Sequence, residues 1–119
     1  PCQIMASEME IRLAVDNLIR NAAESLLSGN CPQPLIRVRL TSTSDSIVIR
    51  VTDNGAKLTD TDIERMKTPL SSSKSDGLGL GLSIVSGVAQ SNGGKLILKA
   101  REKGGVIAEL SFPKQACFP

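Results

Sequence analysis

Asn17 and Asn21 stand four residues apart in "DNLIRNA", a spacing that stacks two amides one turn apart on a helix face. Asparagine is a middling helix former, so two of them beside an apolar stripe call for a reason. An amide oxygen is a hard ligand suited to magnesium, which keeps waters and phosphate oxygens in the rest of its shell. The pair also reads as solvated surface amides, or as amides capping a neighbouring loop. Asp53 ends an alternating run and opens "DNG". That is an ordinary turn sequence, or an anionic acceptor for an amino group such as that of adenine. Finally "SDGLGLGLSIV" places Gly77, Gly79 and Gly81 at every second position before an apolar helical run. Such glycines make either a hinge or a phosphate cradle, where free backbone N–H groups and the positive end of a helix dipole meet an anion.

Two familiar phosphate motifs do not fit. Gly79 and Gly81 match the start of G-x-G-x-x-G, but Ile84 occupies the third glycine position and a polar stretch, not a strand, precedes it. A Walker A loop fails at Gly94-Lys95, which is followed by Leu96, with Ala89 where the first glycine belongs.

The elements that must position these residues follow from periodicity. "ASEMEIRLAVDNLIRNAAESLLSGN" predicts one long helix, with Ser7 and Glu10 as a capping box and Gly29 as its stop. Ile11, Val15, Leu18, Ala22 and Leu26 form its core face. Arg12, Asp16 and Arg20 form an exposed ion-pair row, and Asn17, Asn21 and Glu24 a third row. "LIRVRLT" and "SIVIRVTD" alternate apolar and polar residues around "STSD", which predicts a hairpin with one buried face. A short helix over "TDTDIERM", a serine-rich loop, a second long helix over "LGLSIVSGVAQSNG" and a second hairpin complete the order. The pattern predicts an α+β sandwich with helices on one face of a mostly antiparallel sheet.

Composition narrows the function. The chain has 119 residues, long enough for one domain with its own core. With two phenylalanines and no Trp or Tyr, that core must be aliphatic. A net charge of +2, with no basic tract interleaved with aromatics, sets nucleic acid aside. Cys2, Cys31 and Cys117 lack metal-site spacing and there is no histidine, which disfavours zinc. Free thiols fit a reducing cytosol. No apolar run approaches the ~20 residues of a membrane span. The abrupt start at "PCQIMASEME" suggests a piece of something larger.

Taken in order, "NLIRNA", "VTDNG", "TPLSSSK", "DGLGLGLSIV" and "AELSFP" resemble the catalytic ATP-binding domain of sensor histidine kinases. These belong to the ATPase superfamily shared with gyrase B, Hsp90 and MutL. The resemblance covers essentially the whole chain, residues 1–119. It implies a Bergerat-type fold: a two-layer sandwich of a mixed, mostly antiparallel sheet of about five strands, with about three helices on one face. Residues 1–6 are candidates for the fifth strand.

The resemblance also implies roles. Asn21 matches the family's magnesium-binding asparagine. Asn17 fills the position where hydrolytic relatives carry a water-activating glutamate; an amide cannot be a general base, so ATP is held for another acceptor. Arg20 is within reach of a phosphate. Asp53 matches the aspartate that contacts the adenine amino group, and Gly55 the first glycine after it. Lys57 breaks the usual D-x-G-x-G, and Lys67 stands near the position of the usual lid phenylalanine. Lys74 is placed to hold the γ-phosphate. Gly77, Gly79 and Gly81, with the backbone of Leu78, Leu80 and Leu82, cradle the phosphates.

No nucleophile or base is evident beyond the positioning groups Asn21 and Lys74, which suits phosphoryl transfer. The expected function is that of a protein-histidine kinase catalytic domain in two-component signalling, binding Mg-ATP and phosphorylating a histidine elsewhere. Expected partners are ATP, upstream histidine-bearing dimerisation helices and a response-regulator receiver domain. Placement is expected to be cytoplasmic, with no nucleic acid and no membrane contact by this domain. A degenerate nucleotide-binding module used for protein contact is the alternative, and a hydrolytic ATPase is disfavoured by Asn17.

Overall fold

The computed structural model describes residues 8–29, 32–67 and 78–114. Helix α1 runs Glu8–Gly29, followed by strands β1 (Ile36–Ser42) and β2 (Ser46–Asp53). Helices α2 (Asp60–Lys67) and α3 (Leu78–Ser91) come next, then β3 (Lys95–Ala100) and β4 (Val106–Pro113). Both expected hairpins form, and the four strands make one sheet in the order β1-β2-β4-β3. Every described pairing is antiparallel, so the mixed character expected of the sheet is absent among the described residues. The expected fifth strand at residues 1–6 lies outside them.

Alternation along β4 puts Val106, Ala108, Leu110 and Phe112 on the helix side, where all four are buried. They pack with Val51 of β2, Leu98 of β3, and Leu82, Val85, Val88 and Ala89 of α3. From α1 the core receives Ala14, Leu18 and Ala22. Ala14 is fully buried, whereas Val15 and Leu26, expected in the core, are only half-buried. β1 departs further from expectation. Its apolar row shares a face with the core, yet Val38 and Leu40 are 50% and 71% exposed. The reason is position: β1 is an edge strand, and the helices cover its neighbours instead.

Local chemistry sets the helix ends. Thr59 Oγ1 accepts the Asp62 N–H at 3.1 Å, and the Asp62 carboxylate accepts the Thr59 N–H at 2.9 Å, a capping box at the start of α2. At the end of α3, Gly93 adopts φ 72°. The Gly93 and Gly94 N–H groups donate to Gln90 and Ala89 carbonyls, which closes the helix in a Schellman motif. Glu10 accepts a hydrogen bond from Asn92 Nδ2 at 3.2 Å, linking the two long helices. Its expected capping partner Ser7 lies outside the described residues. The expected Arg12–Asp16–Arg20 row does not form among the described residues, because Arg12 pairs with Glu8 one turn earlier, at 3.3 Å.

Two outcomes test this packing. Leu110→Ala empties a fully buried site and should cost about 2–5 kcal/mol in urea unfolding. The Thr59 N–H, and then its hydroxyl, hold the Asp62 carboxyl below the ordinary aspartate value. A depressed folded value means that the stabilisation is complete above about pH 3.9 and is lost as pH falls through the folded value. NMR titration should therefore find Asp62 protonating below an ordinary aspartate, together with loosening of the first turn of α2.

Candidate functional site

The polar row on α1 leads into the site. Asn17 donates from Nδ2 to the Leu13 carbonyl at 2.8 Å, so its amide N–H is used within its own helix. One turn on, Asn21 Nδ2 is sealed from solvent and has no hydrogen-bond partner among the described residues. A buried amide end left unmatched costs stability, and such exceptions concentrate where a group awaits a non-protein partner. Another turn on, Ser25 donates its hydroxyl to Asp53 Oδ1 at 3.0 Å.

Asp53 is 4% exposed, and it is the sole buried charged residue among those described. Its Oδ1 also accepts the Gly55 N–H at 2.9 Å. No described residue donates to Oδ2. Arg101 approaches at 3.2 Å but donates to the Asp53 backbone carbonyl, not to the carboxylate. The carboxylate is thus fixed by two neutral donors, without a counter-ion among the described residues, and keeps one acceptor oxygen uncommitted. Burying a charge on those terms is expensive.

Glycines make this packing possible. A Cβ on Gly55 would fall 2.4 Å from Ser25 Oγ and 2.7 Å from the Ser25 carbonyl oxygen. Gly105, at φ 95°, passes so close to Asp53 that a Cβ there would lie 1.9 Å from its carbonyl oxygen. The Gly105 N–H donates to the Ala56 carbonyl at 2.8 Å and fixes the loop after Asp53. Lys57, which breaks the expected glycine pattern, is exposed in that loop. Asn54 turns the other way: its amide accepts from the Leu35 N–H and donates to the Gln33 carbonyl.

The helix pairing brings the glycine segment to the same place. Because Glu10 meets Asn92 and α3 packs along α1, the two helices run antiparallel. At about 1.5 Å per residue in each, the start of α3 comes level with the stretch of α1 that carries Asn21 and Ser25. Leu78 to Gly81 form the first turn of α3, so the helix begins two residues before the expected start at Leu80 and takes in Gly79 as well as Gly81. First-turn backbone N–H groups lack intrahelical acceptors. Leu82 sends its side chain into the core and leaves only backbone to a ligand. Arg20 is exposed, with no ion pair to a described residue. Lys74 and Gly77 lie outside the described residues.

Ser25, Arg101 and the contact of Gly105 are not among the site residues that the sequence pattern marks. Ser25 was within reach, since it continues the i, i+4 row of Asn17 and Asn21.

A family model described as "Histidine kinase-, DNA gyrase B-, and HSP90-like ATPase" matches residues 6–116, and the chain belongs to that family. It is 29% identical over 110 residues to the C4-dicarboxylate transport sensor protein DctS of Rhodobacter capsulatus, covering 92% of this chain and 17% of the relative. Among solved structures, the catalytic domain of histidine kinase ThkA superposes with a TM-score of 0.76 at 26% identity, over 91% of this chain and 68% of that one. The ATP-binding domain of PrrB from Mycobacterium tuberculosis gives 0.73 at 27% identity, over 97% and 74%. The α+β fold is that of histidine kinase ATP-binding domains. The chain spans about a sixth to a quarter of the length of the curated relatives it matches.

Two glycine substitutions should move stability in opposite directions. Gly105→Ala forces a Cβ into the Asp53 carbonyl at positive φ and should cost at least about 2 kcal/mol. Gly87→Ala, inside α3 with nothing within 4 Å, should stabilise by about 0.5–1 kcal/mol. Thermal or urea unfolding of both variants checks the pair.

Proposed function

We propose that this chain is the catalytic ATP-binding domain of a longer sensor histidine kinase, which binds Mg-ATP and transfers its γ-phosphoryl group to a histidine on separate dimerisation helices. The observation that carries the reading is the buried Asp53 carboxylate, whose Oδ1 is held by Ser25 and Gly55 while Oδ2 takes no hydrogen bond from a described residue. A neutral amino group with a proton to donate, the 6-amino group of adenine, completes that acceptor. Family membership supports nucleotide binding and a place in two-component signalling.

The remaining roles follow the site's layout. The first turn of α3, with Gly79 and Gly81 and the backbone of Leu78, Leu80 and Leu82, receives the phosphates; Gly77 and Lys74, outside the described residues, take the phosphate-binding roles that family membership suggests. Asn21 would hold magnesium: rotating its amide exchanges the unmatched donor end for an oxygen, the ligand type that this ion takes. Bound magnesium supplies charge neutralisation on the phosphates. Asn17 cannot activate water, since its amide is no base and its N–H is spent on Leu13. ATP is therefore kept for an imidazole acceptor. In the transfer, an imidazole nitrogen gives its lone pair to the γ-phosphorus, the bond from that phosphorus to the ADP oxygen breaks with ADP taking the electron pair, and the proton on the ring's other nitrogen passes to solvent. The receiver domain of a response regulator then takes the phosphoryl group.

Calorimetry with ATP and magnesium, followed by mixing with the upstream helices and labelled ATP, tests the reading. Wild type should bind nucleotide. Asp53→Asn should weaken binding with or without magnesium, and Asn21→Ala should remove mainly the magnesium-dependent part, each by about tenfold or more. Label should then appear on histidine. No binding at millimolar ATP would sink the proposal. Binding without transfer would favour a nucleotide-binding module that serves protein contact.

A further inference from the structure

The sheet face opposite the helices carries a concentration of charge that the nucleotide site does not use. Strand register arranges its outward positions in rungs. Arg37, Thr52, Ile107 and Lys99 form one rung, Arg39, Arg50, Glu109 and Ile97 the next, and Thr41, Val48, Ser111 and Lys95 the third. Arg101 joins them at the end of β3. Arg37, Arg39, Arg50 and Arg101, with Leu35 and Ile107, line a shallow cavity of about 250 Å³. Asp53 also borders it, but the bonds of its carboxylate go to Ser25 and Gly55.

Six cationic side chains thus share a face with Glu109 as the one acid on the rungs, on a chain whose net charge is only +2. Arg50 is neutralised by Glu109, with Nε to Oε2 at 2.7 Å. Arg39 stands directly across from Arg50, a like-charge juxtaposition that disfavours a sheet. Neither Arg37 nor Arg39 makes a hydrogen bond or ion pair with a described residue. Among the described residues no acid offsets the charge of Arg37 or Arg39, which leaves their guanidinium groups available to an external partner.

We propose that this face docks an acidic polypeptide segment of a partner protein, with Asp and Glu side chains interleaved with aliphatic ones. Charge complementarity carries the choice, because a guanidinium fork matches a carboxylate. Extent also favours a chain over a small ion. The cations run beyond the cavity to Lys95 and Lys99 on the far strand, four strands across at about 4.8 Å each. Val48, Ile97, Ile107 and Leu35 lie between them and suit interleaved aliphatic side chains. Single-stranded nucleic acid is disfavoured, because the rungs carry no aromatic side chain for base stacking.

The test is fluorescence anisotropy with a labelled twelve-residue Glu/Asp peptide carrying Val and Leu at intervals, against the same peptide with Gln and Asn. The acidic peptide should bind and the amide peptide should not. Arg39→Glu should weaken binding by about tenfold, with Arg37→Glu as a second variant. Arg12→Glu changes the net charge equally but lies on exposed α1, and should leave affinity within about twofold. ATP affinity should be unchanged in all three, so failure here is separate from failure of the nucleotide reading. Equal losses in Arg39→Glu and Arg12→Glu would overturn the proposal. So would tripolyphosphate binding without peptide binding, which marks a small-anion pocket, or oligo-dT binding more tightly than the peptide.

Discussion

One hydrogen bond, from the Ser25 hydroxyl to the buried carboxylate of Asp53, organises the site. It crosses from the helix layer to the end of a strand and satisfies half of a charge that the core could not otherwise tolerate. Around it the chain is drawn tight. Gly55 gives the same oxygen a second donor and has no room for a side chain against Ser25. Gly105 presses on the Asp53 carbonyl, and Arg101 donates to it. Helix α1, strand β2 and the β3–β4 turn therefore meet at one residue. Among the described residues the carboxylate's position is set by backbone and hydroxyl, not by an opposing charge, and its remaining oxygen accepts no hydrogen bond from them.

The second constraint is the antiparallel packing of α1 and α3. With Asn92 tied to Glu10 at one end, the other end of α3 must arrive beside Asn21 and Ser25. An acceptor suited to a base edge, an unmatched amide and a helix N-terminus are thereby assembled from segments far apart in sequence. The same sheet turns a face of different character outward, where Glu109 neutralises Arg50 but Arg37 and Arg39 have no acidic partner among the described residues. One layer of backbone thus supports a buried, sparsely charged site on one side and a densely cationic surface on the other.

Much of this was legible in the sequence. Strand alternation, turn residues and helix stops marked every described element, because each rests on contacts within a few residues. Asn21 and Asp53 stood out through spacing and placement at an element's end. Arg101 did not, because its bond to Asp53 spans 48 residues and no local period reports it; Ser25 continues the i, i+4 row of Asn17 and Asn21, but that row does not tell of its bond to Asp53, 28 residues on. The β1 face misled for a related reason. Alternation tells which side Val38 and Leu40 take, but whether a helix covers that side is decided by packing elsewhere. Helix α3 starts at Leu78, two residues before the start that periodicity marks, and so absorbs Gly79 as well as Gly81; glycine content weakens a helix without forbidding its first turn.

The central claim is that Asp53 reads the amino group of a purine. The most direct measurement compares, by calorimetry on the same chain, ATP with purine riboside triphosphate, which differs only by lacking that 6-amino group. Losing a hydrogen bond to a buried charged acceptor should weaken binding by about 10- to 100-fold, and Asp53→Asn should shrink that difference. Equal affinity of the wild-type chain for the two nucleotides would contradict the account.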